Sequence, residues 1–139
     1  MIERSKLLSY DLTMAEIPNK DLSIERQIAD IADNFPVFSC FDCGAAIKNF
    51  LVNLKISGKQ IFLSTGSTQK PFCNIYCDRL GQNISINGKH TAIAVSIDGQ
   101  ERIFDNIYPQ GISRVEWINS FCSPIQDLGR DFQIDETEF

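Results

Sequence analysis

FSCFDCGAAIKNFLVNL, residues 38–54, is the stretch whose reading decides the fold. Its apolar positions Ile47, Phe50, Leu51 and Leu54 follow the i, i+3, i+4, i+7 spacing of one buried helix face. One turn earlier the same face reaches Cys43. The helix start has two readings. Ser39 with Asp42 three residues on fits a capping box and places Cys40 at the first helical position. Asp42 as the cap places Cys43 there instead. In both readings a thiol lies in the first turn, where free N–H groups and the helix dipole favour a thiolate. The chain has one histidine, His90, at the head of a β-like run. A cysteine on a helix start and a histidine on a strand is how a thiol nucleophile is paired with its base.

The 139 residues suffice for one domain with a real core. The net charge of −5 comes from scattered acids, and no basic patch is visible, so nucleic acid is not an expected partner. No apolar run approaches the length of a membrane span, and nothing at the start reads as a signal peptide. Five cysteines are too sparse for a disulfide scaffold, and the odd count leaves at least one thiol free or paired between chains. Such usage fits a reducing compartment.

Outward from the central helix, residues 1–21 read as a polar lead-in with a short helix near Ser5 to Tyr10 and a break at Pro18-Asn19. Ser23 caps a packing helix through Asn34, with Ile24, Ile28, Ile31 and Phe35 on one face and Pro36 as its stop. Downstream, Gln60 to Ser64 and Phe72 to Cys77 read as strands, and Asp78 to Gly88 as a loop. His90 to Ile97 alternates small with large residues, as a strand covered on both faces does. Asp98-Gly99 signals a hairpin with Arg102 to Asn106 returning. A two-residue turn pairs Ala92 with Asp105, so His90 shares a face with Asp105; a turn one residue longer puts Asn106 there. Ser113 and Glu116 form a capping box for a short helix carrying Trp117. Beyond Pro124 the chain is acidic tail or edge strand.

Each of these residues also has a plainer reading. Cys43 is a small apolar residue on a core stripe, which is what most free cysteines are. Cys40 with Cys43 makes a C-x-x-C, and Cys73 with Cys77 adds a C-x3-C, so four thiols stand at zinc-like spacing. Against zinc, Cys43 faces the core and the second pair lacks a Gly-rich knuckle; no metal and no cofactor are expected. Cys122 reads as packing behind the last helix.

Taken together, FSCFDCGAAIKNFL at 38–51, GKQIFLSTGS at 58–67, ISINGKHTAIAV at 84–95 and RIFDNIYPQGISRVEW at 102–117 resemble the papain-fold toxin domains of bacterial polymorphic toxins, in that family's second group. The four blocks occur in order over residues 38–117. The resemblance implies an α+β, papain-like fold, in which a Cys-bearing helix packs on an antiparallel sheet carrying the His and the Asp or Asn. It divides the chain into an N-terminal lead-in, residues 1–37, and a catalytic domain, residues 38–139. It implies Cys43 as nucleophile, favoured over Cys40 because a second cysteine often precedes the nucleophile by three residues. It implies His90 as base and Asp105 as its orienter, with Asn106 next. No Gln stands between Asn34 and Ser39, so no oxyanion side chain is assigned, and backbone N–H groups at the helix start serve in part.

The expected activity is that of a papain-like cysteine protease cleaving a protein in competitor cells through a thioester. Deamidation or transglutamination of a glutamine side chain uses the same chemistry, and a non-catalytic docking module is the rival outside enzymology. The implied partners are a cognate immunity protein and a protein substrate. The implied setting is a toxin injected by its producer and acting in the target-cell cytoplasm.

Overall fold

In the computed structural model the structure describes residues 23–139. The expected lead-in over 1–21, with its short helix and break, lies outside the described residues. Helix α1, Ile24–Ala32, starts where Ser23 Oγ accepts the N–H of Arg26. It shares a core with helix α2, Cys40–Asn53, through Ile28, Ala32, Cys43, Ile47 and Leu51. Both rest on the sheet. The structure chooses between the two starts of α2: Ser39 is the N-cap residue and Cys40 the first helical one, although the Ser39 side chain makes no capping bond.

The main sheet is antiparallel and contains β1 (Lys59–Ser64), β4 (Lys89–Ile97), β5 (Gln100–Phe104) and β7 (Gln133–Glu138), in the order β5-β4-β1-β7. A smaller sheet joins β2 (Ile75–Cys77), β3 (Gln82–Ser85) and β6 (Phe121–Cys122), in the order β3-β2-β6. Strand β3 occupies the stretch expected as loop. Its Asn and Gly content hides the pairing of Ile75 with Ser85 and Tyr76 with Asn83. Residues beyond Pro124 form a single 3₁₀ turn over Pro124–Leu128 and then β7, whose six residues are all exposed and held by β1. Cys122 lies on β6, half-buried, with its thiol 3.8 Å from Asp78 Oδ1, rather than packed behind the last helix.

Strand β4 is the centre of the molecule. Ile93 and Val95 face the two helices, and Ala92 and Ala94 face a second core with Ile61, Ile103, Trp117 and Phe121. The small residues lie on the face where Trp117 of the short helix α3, Arg114–Asn119, comes close. The β4–β5 hairpin turns at Asp98 and Gly99, both at positive φ (52° and 80°), and pairs Ile97 with Gln100 and Ile93 with Phe104. Continuing that register by one residue sets Asp105 opposite Ala92. Helix α3 opens with a complete capping box between Ser113 and Glu116.

Candidate active site

The site forms where the first turn of α2 meets the start of β4 and the end of β5. His90 points to the Trp117 face of the sheet. It is 1% exposed, stacked on Trp117 with centroids 5.9 Å apart and edge-on to Phe121 at 5.2 Å. Its Nε2 donates to Asp105 Oδ2 at 2.7 Å.

Asp105 is 1% exposed and accepts four hydrogen bonds. Oδ2 takes those of His90 and Trp117 Nε1 (2.8 Å); Oδ1 takes the backbone N–H groups of Ile107 (2.9 Å) and Tyr108 (2.6 Å). Four donors on one carboxylate fix it as the anion. Burial, the largest influence, pushes its pKa up, but the hydrogen bond and charge of His90, with the Trp117 and Tyr108 bonds, outweigh it and hold Asp105 below the usual carboxylate range. For His90 burial is again the largest influence and pushes downward. The Asp105 bond, the facing Cys40 thiol and the charges of both overcome it, raising the imidazole to about 9. His90 therefore holds a proton firmly once it has taken one.

With Nε2 on Asp105, Nδ1 is the free nitrogen. It is buried and makes no hydrogen bond of ordinary geometry. The Cys40 thiol is the neighbour that, with Asp105, raises the affinity of the imidazole for a proton. Cys40 is 5% exposed and opens on a cleft of about 220 Å³ between the start of α2 and the β3–β4 turn. The first intrahelical bond of α2 is Cys43 N–H to Ser39 O, 3.0 Å. The N–H groups of Cys40, Phe41 and Asp42 precede it and have no intrahelical acceptor.

Cys43, expected as the nucleophile, lies one turn deeper. It is fully buried among Ile28, Ala32, Ile47, Ile93 and Phe104. Its pKa is pushed up to about 12, first by burial and then by the charges of Asp105 and Cys40. The structure thus bonds His90 to Asp105, opens Cys40 on the cleft and leaves Cys43 in the core. The reason is the apolar stripe itself: Cys43, Ile47 and Leu51 are its successive turns, and the stripe faces β4.

Asn106, the alternative third member, faces elsewhere. Its Nδ2 donates to Pro36 O at 2.8 Å and ties the end of β5 to the α1–α2 loop. Trp117 was not anticipated at the site. A buried indole N–H requires an acceptor, and the nearest acid on the hairpin supplies it, which is the signal the sequence carried. Among the described residues no group of three or more His, Cys, Asp or Glu side chains is placed to hold a metal ion.

The family model described as Papain fold toxin 2 matches residues 23–122. This chain belongs to that family. The match runs from the N-cap of α1 to β6 and so takes in every element that builds the site. No curated protein and no solved structure gives a significant match. As a papain-fold toxin domain the chain has the expected α+β architecture, with the cysteine-bearing helix packed on the antiparallel sheet. None of its described helices is long and apolar enough to cross a membrane.

Proposed function

We propose that this papain-fold toxin domain is a cysteine-dependent hydrolase acting on an amide bond of a protein, with Cys40 as nucleophile, His90 as base and Asp105 as the group that orients the imidazole. The observation that carries this reading is the buried bond from His90 Nε2 to Asp105 Oδ2, with Nδ1 left unbonded and the Cys40 thiol, at the mouth of the cleft, among the groups that raise the pKa of the ring. This replaces Cys43 by Cys40 and keeps the other two expected residues.

In the reaction the Cys40 thiol gives its proton to His90 Nδ1, and the sulfur attacks the carbonyl carbon. The developing oxyanion lies beside the free N–H groups at the start of α2. Collapse breaks the C–N bond as His90 returns the proton to the leaving nitrogen, which leaves a thioester on Cys40. Water, deprotonated by His90, then releases the acid and restores the thiol. Asp105 remains an anion throughout. On a backbone amide the outcome is proteolysis, the reading adopted here. Delivery into a competing cell, action in that cell's cytoplasm and a cognate immunity protein covering the cleft complete the proposal.

The test is expression inside bacteria of the wild type and of Cys40→Ala, Cys43→Ala and His90→Ala. Loss of killing in the Cys40 and His90 variants, with Cys43→Ala still toxic, supports the assignment. Loss in Cys43→Ala and His90→Ala, with Cys40→Ala still toxic, returns the nucleophile to Cys43. Killing by all three folded variants means the chain acts by binding. In cells that die, shortened proteins on a gel mark proteolysis; targets of unchanged length with one added negative charge mark deamidation.

A further inference from the structure

Phe38 contradicts two preferences at once. It is 59% exposed, and its backbone lies at φ 76°. The neighbouring aromatic and aliphatic residues of the same loop turn inward: Phe35 packs on the core under the helices and Val37 on the core behind the sheet. Phe38 is the third residue of a turn closed by the Ser39 N–H on Pro36 O at 3.1 Å. At that position a positive φ normally calls for Gly or Asn, and a bulky side chain there is strained. Strain of this kind is retained where the surroundings or the function require it. The core does not require it, because the ring is outside.

The ring has a definite place. Phe38 and Phe41 form one side of the cleft onto which Cys40 opens, and Ile86, itself 56% exposed, stands on the other. Phe41 is 44% exposed, its ring 6.5 Å from that of Phe62. The turn that carries Ile86 is firm: Asn87 Oδ1 accepts from Ser85 Oγ (2.8 Å) and from Lys89 N–H (3.1 Å). Three exposed apolar side chains thus surround a space of about 220 Å³ beside the thiol. That is room for one side chain, not for a folded partner.

We propose that Phe38 is a specificity residue that touches substrate: with Phe41 and Ile86 it seats an apolar side chain of the polypeptide next to the amide that Cys40 attacks. The inference rests on Cys40 being the nucleophile. It adds a substrate class, an extended peptide segment with an aliphatic or aromatic residue at the cleavage site. It also explains why a phenylalanine is held in a turn position suited to glycine: the turn aims the ring over the cleft.

The experiment uses peptide vinyl sulfones bearing Leu or Ser at one of the two residues before the electrophile. Cys40 Sγ adds to the β-carbon of the vinyl group, and the proton reaches the α-carbon. Labelling rates are followed by intact mass on the wild type, Phe38→Gly and Phe38→Asn. Iodoacetamide serves as a reagent with no side chain to recognise. Both substitutions suit the positive φ, so neither lowers the melting temperature. The wild type should react roughly tenfold faster with the Leu probe than with the Ser probe at one of the two positions. Both variants should lose most of that ratio while their iodoacetamide rate at Cys40 stays within about twofold of wild type. An undiminished Leu/Ser ratio in the variants overturns the inference. So does a lower melting temperature together with a lost iodoacetamide rate, because Phe38 would then be structural. Labelling of Cys40 with no preference in the wild type sinks this inference alone. Labelling that falls on Cys43 sinks the assignment of the nucleophile as well.

Discussion

Replacing Asp105 by Asn changes one atom and should disable both a buried carboxylate with four hydrogen bonds and the orientation of His90. The Asp105 carboxylate accepts from four donors and donates to none. An asparagine offers one acceptor oxygen and one NH2. Whichever way the amide is turned, two of the four N–H groups face another donor. Either the imidazole and the Trp117 indole lose their acceptor, or the two backbone groups of Ile107 and Tyr108 do. A hydrogen bond to a charged acceptor contributes about 1.5–3 kcal/mol, and the carboxylate itself is buried, so the cost is about 3–5 kcal/mol at pH 7. For a chain of this length that is a fall in melting temperature of roughly 10–20 °C. Thermal unfolding followed through Trp117, the only tryptophan, reads it directly. NMR titration supplies a second reading: without the carboxylate, burial dominates and the pKa of His90 falls from about 9 toward or below 6.5. A loss of stability under about 1 kcal/mol, with His90 still titrating near its original value, would refute the reasoning, since the four bonds would then contribute far less than buried charge-assisted bonds do.

The same pair predicts how stability varies with pH. His90 has a folded pKa raised from 6.5 to about 9, so its contribution, about 3 kcal/mol, is fully present below pH 6.5 and is lost as pH rises through 9; that of Asp105, whose pKa is lowered, is present above its ordinary value and lost in acid. Urea midpoints should therefore be highest on the mildly acidic side of neutrality and fall toward pH 9, and a flat profile from pH 6 to 9 contradicts the pairing. Cys43→Ala should keep toxicity and cost about 1 kcal/mol, whereas Cys43→Ser should cost about 2–3 kcal/mol by burying a hydroxyl among aliphatic groups, both read from urea unfolding. Gly88 stands at φ 78°, and a Cβ there would lie 2.6 Å from Ser67 O and 2.8 Å from Thr65 Oγ1; Gly88→Ala should cost about 2–4 kcal/mol. Gly44→Ala, whose Cβ would meet Thr91 Cγ2 at 3.4 Å inside α2, should stay within about 1 kcal/mol of wild type.

Where structure follows from neighbours in sequence, the sequence was legible. Ser23 and the Ser113–Glu116 box start the two outer helices, and Asp98-Gly99 fixes the hairpin register that brings His90 and Asp105 to one face. Strands β3 and β6 were not legible as strands, and β7 only as one of two alternatives, acidic tail or edge strand. They are short, polar or fully exposed, and β6 and β7 pair with partners distant in sequence. The thiols show a subtler limit. Periodicity placed Cys43 on the apolar stripe of α2, and a position on that stripe is a position in the core. The residue beside His90 is the first of the helix, one turn before Cys43 on the same buried face, where the cleft opens. Periodicity reports which face is buried. It does not report which end of the helix abuts the start of a distant strand.

The most direct test of Cys40 as the thiol paired with His90 is site-mapped alkylation. Brief exposure of the native protein and of His90→Ala to limiting iodoacetamide, followed by peptide mass mapping of all five cysteines, gives the rate at each. The account predicts that Cys40 is modified first, that Cys43 remains protected until unfolding, and that His90→Ala slows Cys40 by at least about tenfold. Preferential modification of Cys43, or a Cys40 rate indifferent to His90, would contradict it.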